Sequence, residues 1–154
     1  MTFTPAARDL IQRLEGCRLQ AYQDQAGVWT IGYGHTGNVH AGDVWTQDQA
    51  DAQLGADLAR FISGVANFVS PTELTDNQFS ALVIFAFNVG LVAFAGSTAL
   101  RNVRALQLDH VISAMAMWNK ITDRSGVLIV NAGLVTRRAA EAILWNTQPK
   151  GIDA

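Results

Sequence analysis

Three side chains near the start of the chain have the types and spacing of a hydrolytic set: Glu15, Asp24 and Thr30. Glu15 closes a short apolar-striped segment and is followed by Gly16. Asp24 comes nine residues later, at the end of a strand-like run, and Thr30 six residues after that, at the start of a second run. Two carboxyl groups and a hydroxyl on one Gly-rich segment suit hydrolysis of a glycosidic bond. One acid protonates the leaving oxygen, and the second carboxylate, with the hydroxyl, holds the attacking water. Each residue alone also has an ordinary reading: a solvated helix-end acid, a turn aspartate before Gln25-Ala26-Gly27, and a strand threonine.

The elements that must position these groups follow from local signals. Thr4 is an N-cap, Pro5 fits the first helical position, and Ala7, Leu10, Ile11 and Leu14 form one apolar stripe that Gly16 ends. Glu15 therefore sits at a helix C-terminal end, where the carbonyl-rich terminus disfavours negative charge; that polarity suits a proton donor. Residues 18–45 form the β-like region, with Leu19, Ala21, Tyr22, Val28, Trp29, Ile31 and Tyr33 as strand formers and Gln25-Ala26-Gly27 as the hairpin turn. Beyond Trp45 the pattern is helical. Thr46 with Gln49 and Thr75 with Gln78 are capping boxes opening helices near 47–68 and 79–89. Ser97 or Thr98 opens a further helix to Leu106, Asp109 caps one over 111–118, residues 120–133 read as a loop, and a last helix runs to about Trp145. The expected fold is α+β: one domain over 1–154, with a small sheet lobe at about 16–45, a connecting helix at 47–68, and a helical lobe at 71–147 packed with helix 5–15.

Composition narrows the function classes. The chain has 154 residues, 49% of them hydrophobic and 16% charged, with a net charge of −2. A chain of this size is expected to bury a core. It carries no basic block of the kind that binds nucleic acid, and none is expected as a partner. The single cysteine, Cys17, excludes an internal disulfide and reads as a packing residue. The N-terminal residues lack the apolar run of a signal peptide, so neither a signal peptide nor a signal-anchor is expected. The uncharged stretch 77–100 has the length of a membrane span, but Asn88, Gly90, Gly96, Ser97 and Thr98 interrupt it. It reads as a buried helix, a tight turn and the start of the next helix, with no membrane insertion.

Three blocks then carry a family resemblance. The first joins the Glu15–Asp24–Thr30 spacing to Trp29-Thr30-Ile31-Gly32-Tyr33-Gly34-His35-Thr36. The second is Phe85-Ala86-Phe87-Asn88-Val89-Gly90 with Ala93-Phe94 and Ser97-Thr98-Ala99-Leu100-Arg101. The third is Trp118 followed by Gly133-Leu134-Val135-Thr136-Arg137-Arg138-Ala139-Ala140-Glu141. In this order they resemble the phage-type lysozymes, the muramidase endolysins of glycoside hydrolase family 24.

The resemblance implies a lysozyme-like fold and cleavage of the β-1,4 bond between N-acetylmuramic acid and N-acetylglucosamine in bacterial peptidoglycan, for host lysis. It implies Glu15 as general acid, Asp24 as the carboxylate that positions water, and Thr30 as a further water-holding group. Inversion at the anomeric carbon is also implied, with the two carboxyls roughly 6.5–9.5 Å apart. No metal and no cofactor are expected. The enzyme is expected to be a monomer held in the host cytoplasm until a separate holin-type protein opens the membrane. Tyr22, Tyr33, Gly34 and Asn88 are candidate sugar contacts. His35 reads as a hydrogen-bonded structural residue. The resemblance pairs an arginine of the last helix with the catalytic glutamate, and the Thr-Arg step selects Arg137 over Arg138; otherwise both would be solvent-facing charges. Two rival functions remain at this point: a lytic transglycosylase, which needs only one acid, and a cell-wall-binding module without turnover.

Overall fold

A computed structural model describes residues 1–148. Its elements in chain order are α1 (Pro5–Glu15), β1 (Arg18–Gln23), β2 (Trp29–Gly32), α2 (Gln47–Val69), α3 (Asp76–Val89), α4 (Leu91–Ala95), α5 (Thr98–Arg104), a 3-10 turn (Leu108–His110), α6 (Val111–Ala116), β3 (Lys120–Thr122), β4 (Leu128–Val130) and α7 (Ala132–Asn146). They form two compact units. One is Arg8–Arg60, and the other joins Met1–Ala7 to the chain from Phe61 onward.

In the Arg8–Arg60 unit, α1 stops where Gly16 takes a φ of +66°, a conformation that a side chain would strain. β1 and β2 pair antiparallel, with Tyr22 opposite Thr30 and Gln23 opposite Trp29, and the register is irregular between Arg18 and Tyr22. The other edge of β1 takes hydrogen bonds from and to the segment 43–45: Ala21 N–H donates to Asp43 O, and Trp45 N–H to Leu19 O. The small sheet thus has a third, short rung. At Gly32 an added Cβ would stand 2.9 Å from the Trp45 ring, so only glycine lets β2 lie this close to that indole. The Thr46–Gln49 capping box is made in both directions and opens α2. Ile11, Ile31, Ala50, Leu54 and Leu58 are the buried apolar centre of the unit.

In the second unit, the N-terminal residues are tied to α3. Thr2 donates from its N–H and its hydroxyl to the Asp76 carboxylate, and Thr4 N–H donates to Ser80 Oγ. The Thr75–Gln78 capping box starts α3, which is buried continuously from Phe79 to Ala86 and packs chiefly against α7. Phe85, Phe94 and Phe68 meet edge to face at ring separations of 6.2 Å. No helix among the described residues is long and apolar enough to cross a membrane. The uncharged stretch 77–100 is divided into α3, α4 and the start of α5.

The structure corrects the sequence reading in three places. Residues 120–133, read as a loop, contain the antiparallel hairpin β3–β4, with Lys120 opposite Val130 and Thr122 opposite Leu128. Both strands are only three residues long and exposed throughout, too short for a periodic pattern to mark them. The tight turn after Gly90 is a short helix, α4, anchored by the buried Phe94. Asp109 lies inside the 3-10 turn instead of capping α6, which is only six residues long.

Candidate active site

Glu15, Asp24 and Thr30 all lie in the Arg8–Arg60 unit. Glu15 is the last residue of α1 and is half-buried. Asp24 follows β1, and its Oδ1 accepts two backbone N–H bonds across the hairpin, from Ala26 at 2.8 Å and Val28 at 2.9 Å. The turn aspartate and the chemically competent carboxylate are therefore the same side chain. Closing the turn occupies Oδ1 and leaves Oδ2 as the oxygen that can take a hydrogen from water. Thr30 is 4% exposed, and its hydroxyl donates to Val28 O at 3.0 Å. With its hydrogen spent on the backbone, that hydroxyl can only accept from a water. Asp24 Oδ2 and Thr30 Oγ1 thus have matching polarity: each is left as an acceptor.

The surrounding candidates divide. Tyr22 is half-buried, with the Arg18 guanidinium 4.1 Å above its ring. A recess of about 310 Å³ runs along β1 from Arg18 to Tyr22. Gly34 is exposed. Tyr33 is turned inward at 8% exposure, and its hydroxyl is used up: it donates to Asp51 Oδ1 at 2.8 Å and accepts from Gln47 at 2.9 Å and Gln12 at 3.2 Å. This geometry leaves Tyr33 no open hydroxyl to offer a sugar. His35 has acceptors at both ring nitrogens, Asp57 Oδ2 at Nδ1 and Gly37 O at Nε2, each at 2.9 Å, and its ring tilts against Trp45. It has the two-sided anchoring of a structural residue.

In the second unit, Asn88 stands exposed near the end of α3, and its Oδ1 accepts from Arg138 Nη2 at 2.7 Å. The same Nη2 reaches Glu141 Oε1 at 2.9 Å, and Arg137 Nε lies 3.5 Å from that oxygen. Arg137 and Arg138 are 7% and 4% exposed and Glu141 is fully buried, so neither arginine is a solvent-facing charge. Among the described residues no cluster of His, Cys, Asp and Glu could hold a metal ion.

The phage lysozyme family model matches residues 12–141, a span that holds every one of these residues. The chain belongs to the phage lysozyme family. Over 138 residues it is 40% identical to the endolysin of Acyrthosiphon pisum secondary endosymbiont phage 1, covering 90% of this chain and 93% of that protein. It is 37% identical over 150 residues to the Bacillus phage B103 endolysin, of which it spans only 55%. In three dimensions it superposes on the muramidase domain of SpmX from Asticaccaulis excentricus with a TM-score of 0.90 at 41% identity, covering 96% of this chain and 99% of that one. This phage lysozyme is accordingly a glycoside hydrolase of the muramidase class with a lysozyme-like α+β fold.

Sequence reasoning missed the polar partners of Tyr33 and His35, which are Gln12, Gln47, Asp51 and Asp57, and the burial of Glu141. The i,i+4 pairs on α2, Gln47–Asp51 and Gln53–Asp57, were the available signal. The network has electrostatic consequences. The Tyr33 hydroxyl, then Gln47, hold the Asp51 carboxyl below its ordinary value. Burial, then Asp51, push the Tyr33 phenol up. Thr2 lowers Asp76, and Ser125 lowers Asp123. A carboxylate lowered by folding stabilises above its unfolded value, and that stability is lost as pH falls through the folded one. A phenol raised by folding stabilises below its unfolded value and loses that contribution as pH rises through the folded one. The thermal midpoint is therefore expected to fall below about pH 4 and again above about pH 10. Calorimetry across that range checks it, and a midpoint unchanged from pH 6 down to pH 2 contradicts it.

Proposed function

We propose that this chain is an endolysin muramidase that hydrolyses the β-1,4 bond between N-acetylmuramic acid and N-acetylglucosamine in bacterial peptidoglycan, with inversion, in host lysis. The observation that carries this reading is the Asp24–Thr30 hairpin. A carboxylate clamped by two backbone N–H groups and a hydroxyl committed to its own strand leave two acceptors suited to one water. Glu15, at the end of the preceding helix, supplies the proton to the departing oxygen. As the C–O bond breaks, water held by Asp24 and Thr30 attacks the opposite face of the anomeric carbon and gives its proton to Asp24. A separate water carrier speaks for an inverting hydrolase over a transglycosylase, which has no use for one.

Tyr22, Gly34 and Asn88 are each sugar contacts in this reading. Because Arg138 occupies Asn88 Oδ1, the Nδ2 donor is the group that Asn88 offers to substrate. The enzyme acts as a monomer and reaches the wall from the host cytoplasm after a holin-type protein opens the membrane.

The test is mass spectrometry of the soluble products of purified peptidoglycan, run beside Asp24→Asn. Reducing N-acetylmuramic acid ends, formed with inverted anomeric configuration by proton NMR, are the expected products. Asparagine keeps the Oδ1 acceptor that closes the turn but loses the charge, so Asp24→Asn is expected to fold normally and to slow release by about a hundredfold or more. Anhydro-muramic ends would establish a transglycosylase, and saccharide binding with no product would establish a wall-binding module.

A further inference from the structure

Asp51 lies on the first turns of α2, outside the proposed catalytic set, yet it gathers three side-chain donors on one oxygen. Its Oδ1 accepts from Gln12 Nε2 at 3.1 Å, Tyr33 Oη at 2.8 Å and Gln47 Nε2 at 2.8 Å. The same two amide nitrogens also lie in hydrogen-bonding range of the Tyr33 oxygen, at 3.2 Å from Gln12 and 2.9 Å from Gln47, and Gln47 Nε2 further reaches Cys17 Sγ at 3.9 Å. Asp51, Tyr33, Gln12 and Gln47 thus form one mutually bonded cluster. A carboxylate suits the centre, because three donors converge on one oxygen and hydrogen bonds to a charged acceptor are the stronger kind.

The spokes of this hub end on the elements that carry the proposed chemistry. Gln12 is three residues before Glu15 on α1, on the same side of the helix. Tyr33 directly follows β2, three residues beyond Thr30. Gln47 opens α2 and belongs to the same turn as Asp51. We infer that Asp51 is a positioning residue of this enzyme: through Gln12 and Tyr33 it sets the end of α1, and so Glu15, against the strand that bears Thr30. The inference rests on the muramidase reading of Glu15 and Thr30. Small displacements of a proton donor relative to the attacking water carry large rate penalties, which is why a residue that touches no substrate can govern turnover.

The experiment measures kcat and KM on solubilised, uncrosslinked glycan strands by release of reducing ends. Wild type, Asp51→Asn, Tyr33→Phe and the double variant are compared well below their thermal midpoints. Alkaline ultraviolet titration of the two tyrosines is run in parallel. Asp51→Asn is expected to lower kcat by about ten- to hundredfold, with KM unchanged. The phenol step that is missing in Tyr33→Phe should move to lower pH in Asp51→Asn. Tyr33→Phe, which keeps the ring and removes only the hydroxyl, should also lower kcat, and the double variant should be no slower than Asp51→Asn. A role limited to stability would lower the midpoint and leave kcat alone, and that result overturns the inference. So do losses that multiply in the double variant. If Asp51→Asn does not fold, a wild-type kcat in Tyr33→Phe is by itself sufficient to overturn it. Wild-type protein that is folded but releases no reducing ends removes the muramidase reading and this inference together. Active wild type with an unimpaired Asp51→Asn removes the inference alone.

Discussion

Replacing Glu15 with Gln should abolish the release of reducing ends from peptidoglycan while the protein keeps a native circular-dichroism spectrum. Glutamine matches glutamate in shape and still offers an acceptor oxygen, so it disturbs the packing at the end of α1 little. It has no acidic proton to give. Protonation of the departing oxygen by a positioned acid is worth about 10²–10⁴ in rate, and no other carboxyl belongs to the helix end that carries Glu15. Asp24 cannot take over that part. Its Oδ1 is committed to Ala26 and Val28, and the proposed mechanism assigns its other oxygen to the attacking water. Retained activity above a few per cent of wild type, measured on the same folded concentration, would falsify the assignment of Glu15 as the acid.

The largest effect on stability is expected at Arg138. Its Nη2 bridges Asn88 and the fully buried Glu141, and its guanidinium lies 4.8 Å from the centre of the Phe85 ring. Burial pulls the Arg138 guanidinium below its ordinary value, and the Glu141 charge opposes that pull. Alanine at 138 removes the nearer of the two cations that face Glu141 Oε1 and opens a void beside Phe85. Breaking a buried pair from one side costs about 3–5 kcal/mol, which for a domain of this length lowers the thermal midpoint by roughly ten degrees. Arg137→Ala should show the opposite balance. Its Nε stands 3.5 Å from Glu141 Oε1, against 2.9 Å for Arg138 Nη2, and the expectation that its loss reduces activity per folded molecule more than the loss of Arg138 does comes from the family resemblance. Thermal unfolding with activity normalised to folded protein separates the two. A midpoint for Arg138→Ala within about two degrees of wild type would contradict the buried-bridge account, and equal, wild-type-like rates for both variants would contradict the role of Arg137.

What could be read from the sequence is what is encoded locally. The Thr4 cap, the apolar stripe of α1 and the stop at Gly16 all lie within a dozen residues, and both capping boxes are i,i+3 relations that the structure reproduces. Glu15, Asp24 and Thr30 stood out because a short segment concentrates them. Tyr33 was misjudged for the complementary reason. An aromatic among glycines reads as a cleft wall, and the partners that turn it inward are 14, 18 and 21 residues away in the chain. The bridge from Arg138 to Asn88 spans 50 residues, so the burial of a double-arginine step leaves no local trace. The β3–β4 hairpin escaped because its strands are three residues long, below the length at which alternation becomes a signal.

The turn at Asp24 occurs twice. In the second hairpin Asp123 takes the same part: its N–H donates to Val127 O, its carbonyl accepts from Gly126, and its Oδ1 accepts from Ser125 and Val127 N–H. Asp24 makes the matching four bonds with Val28, Gly27 and Ala26. An aspartate in this setting is therefore kept by chain folding whether or not it handles a water. Two selective pressures converge on one side chain, and they are separable by chemistry. Asparagine is expected to satisfy the turn and fail the proposed reaction, whereas a thiol is a poor acceptor for two amide hydrogens. A descendant of this chain that abandoned hydrolysis would have reason to retain Asp24, so the residue on its own is a record of hairpin architecture, and Glu15 is the more discriminating mark of a working enzyme.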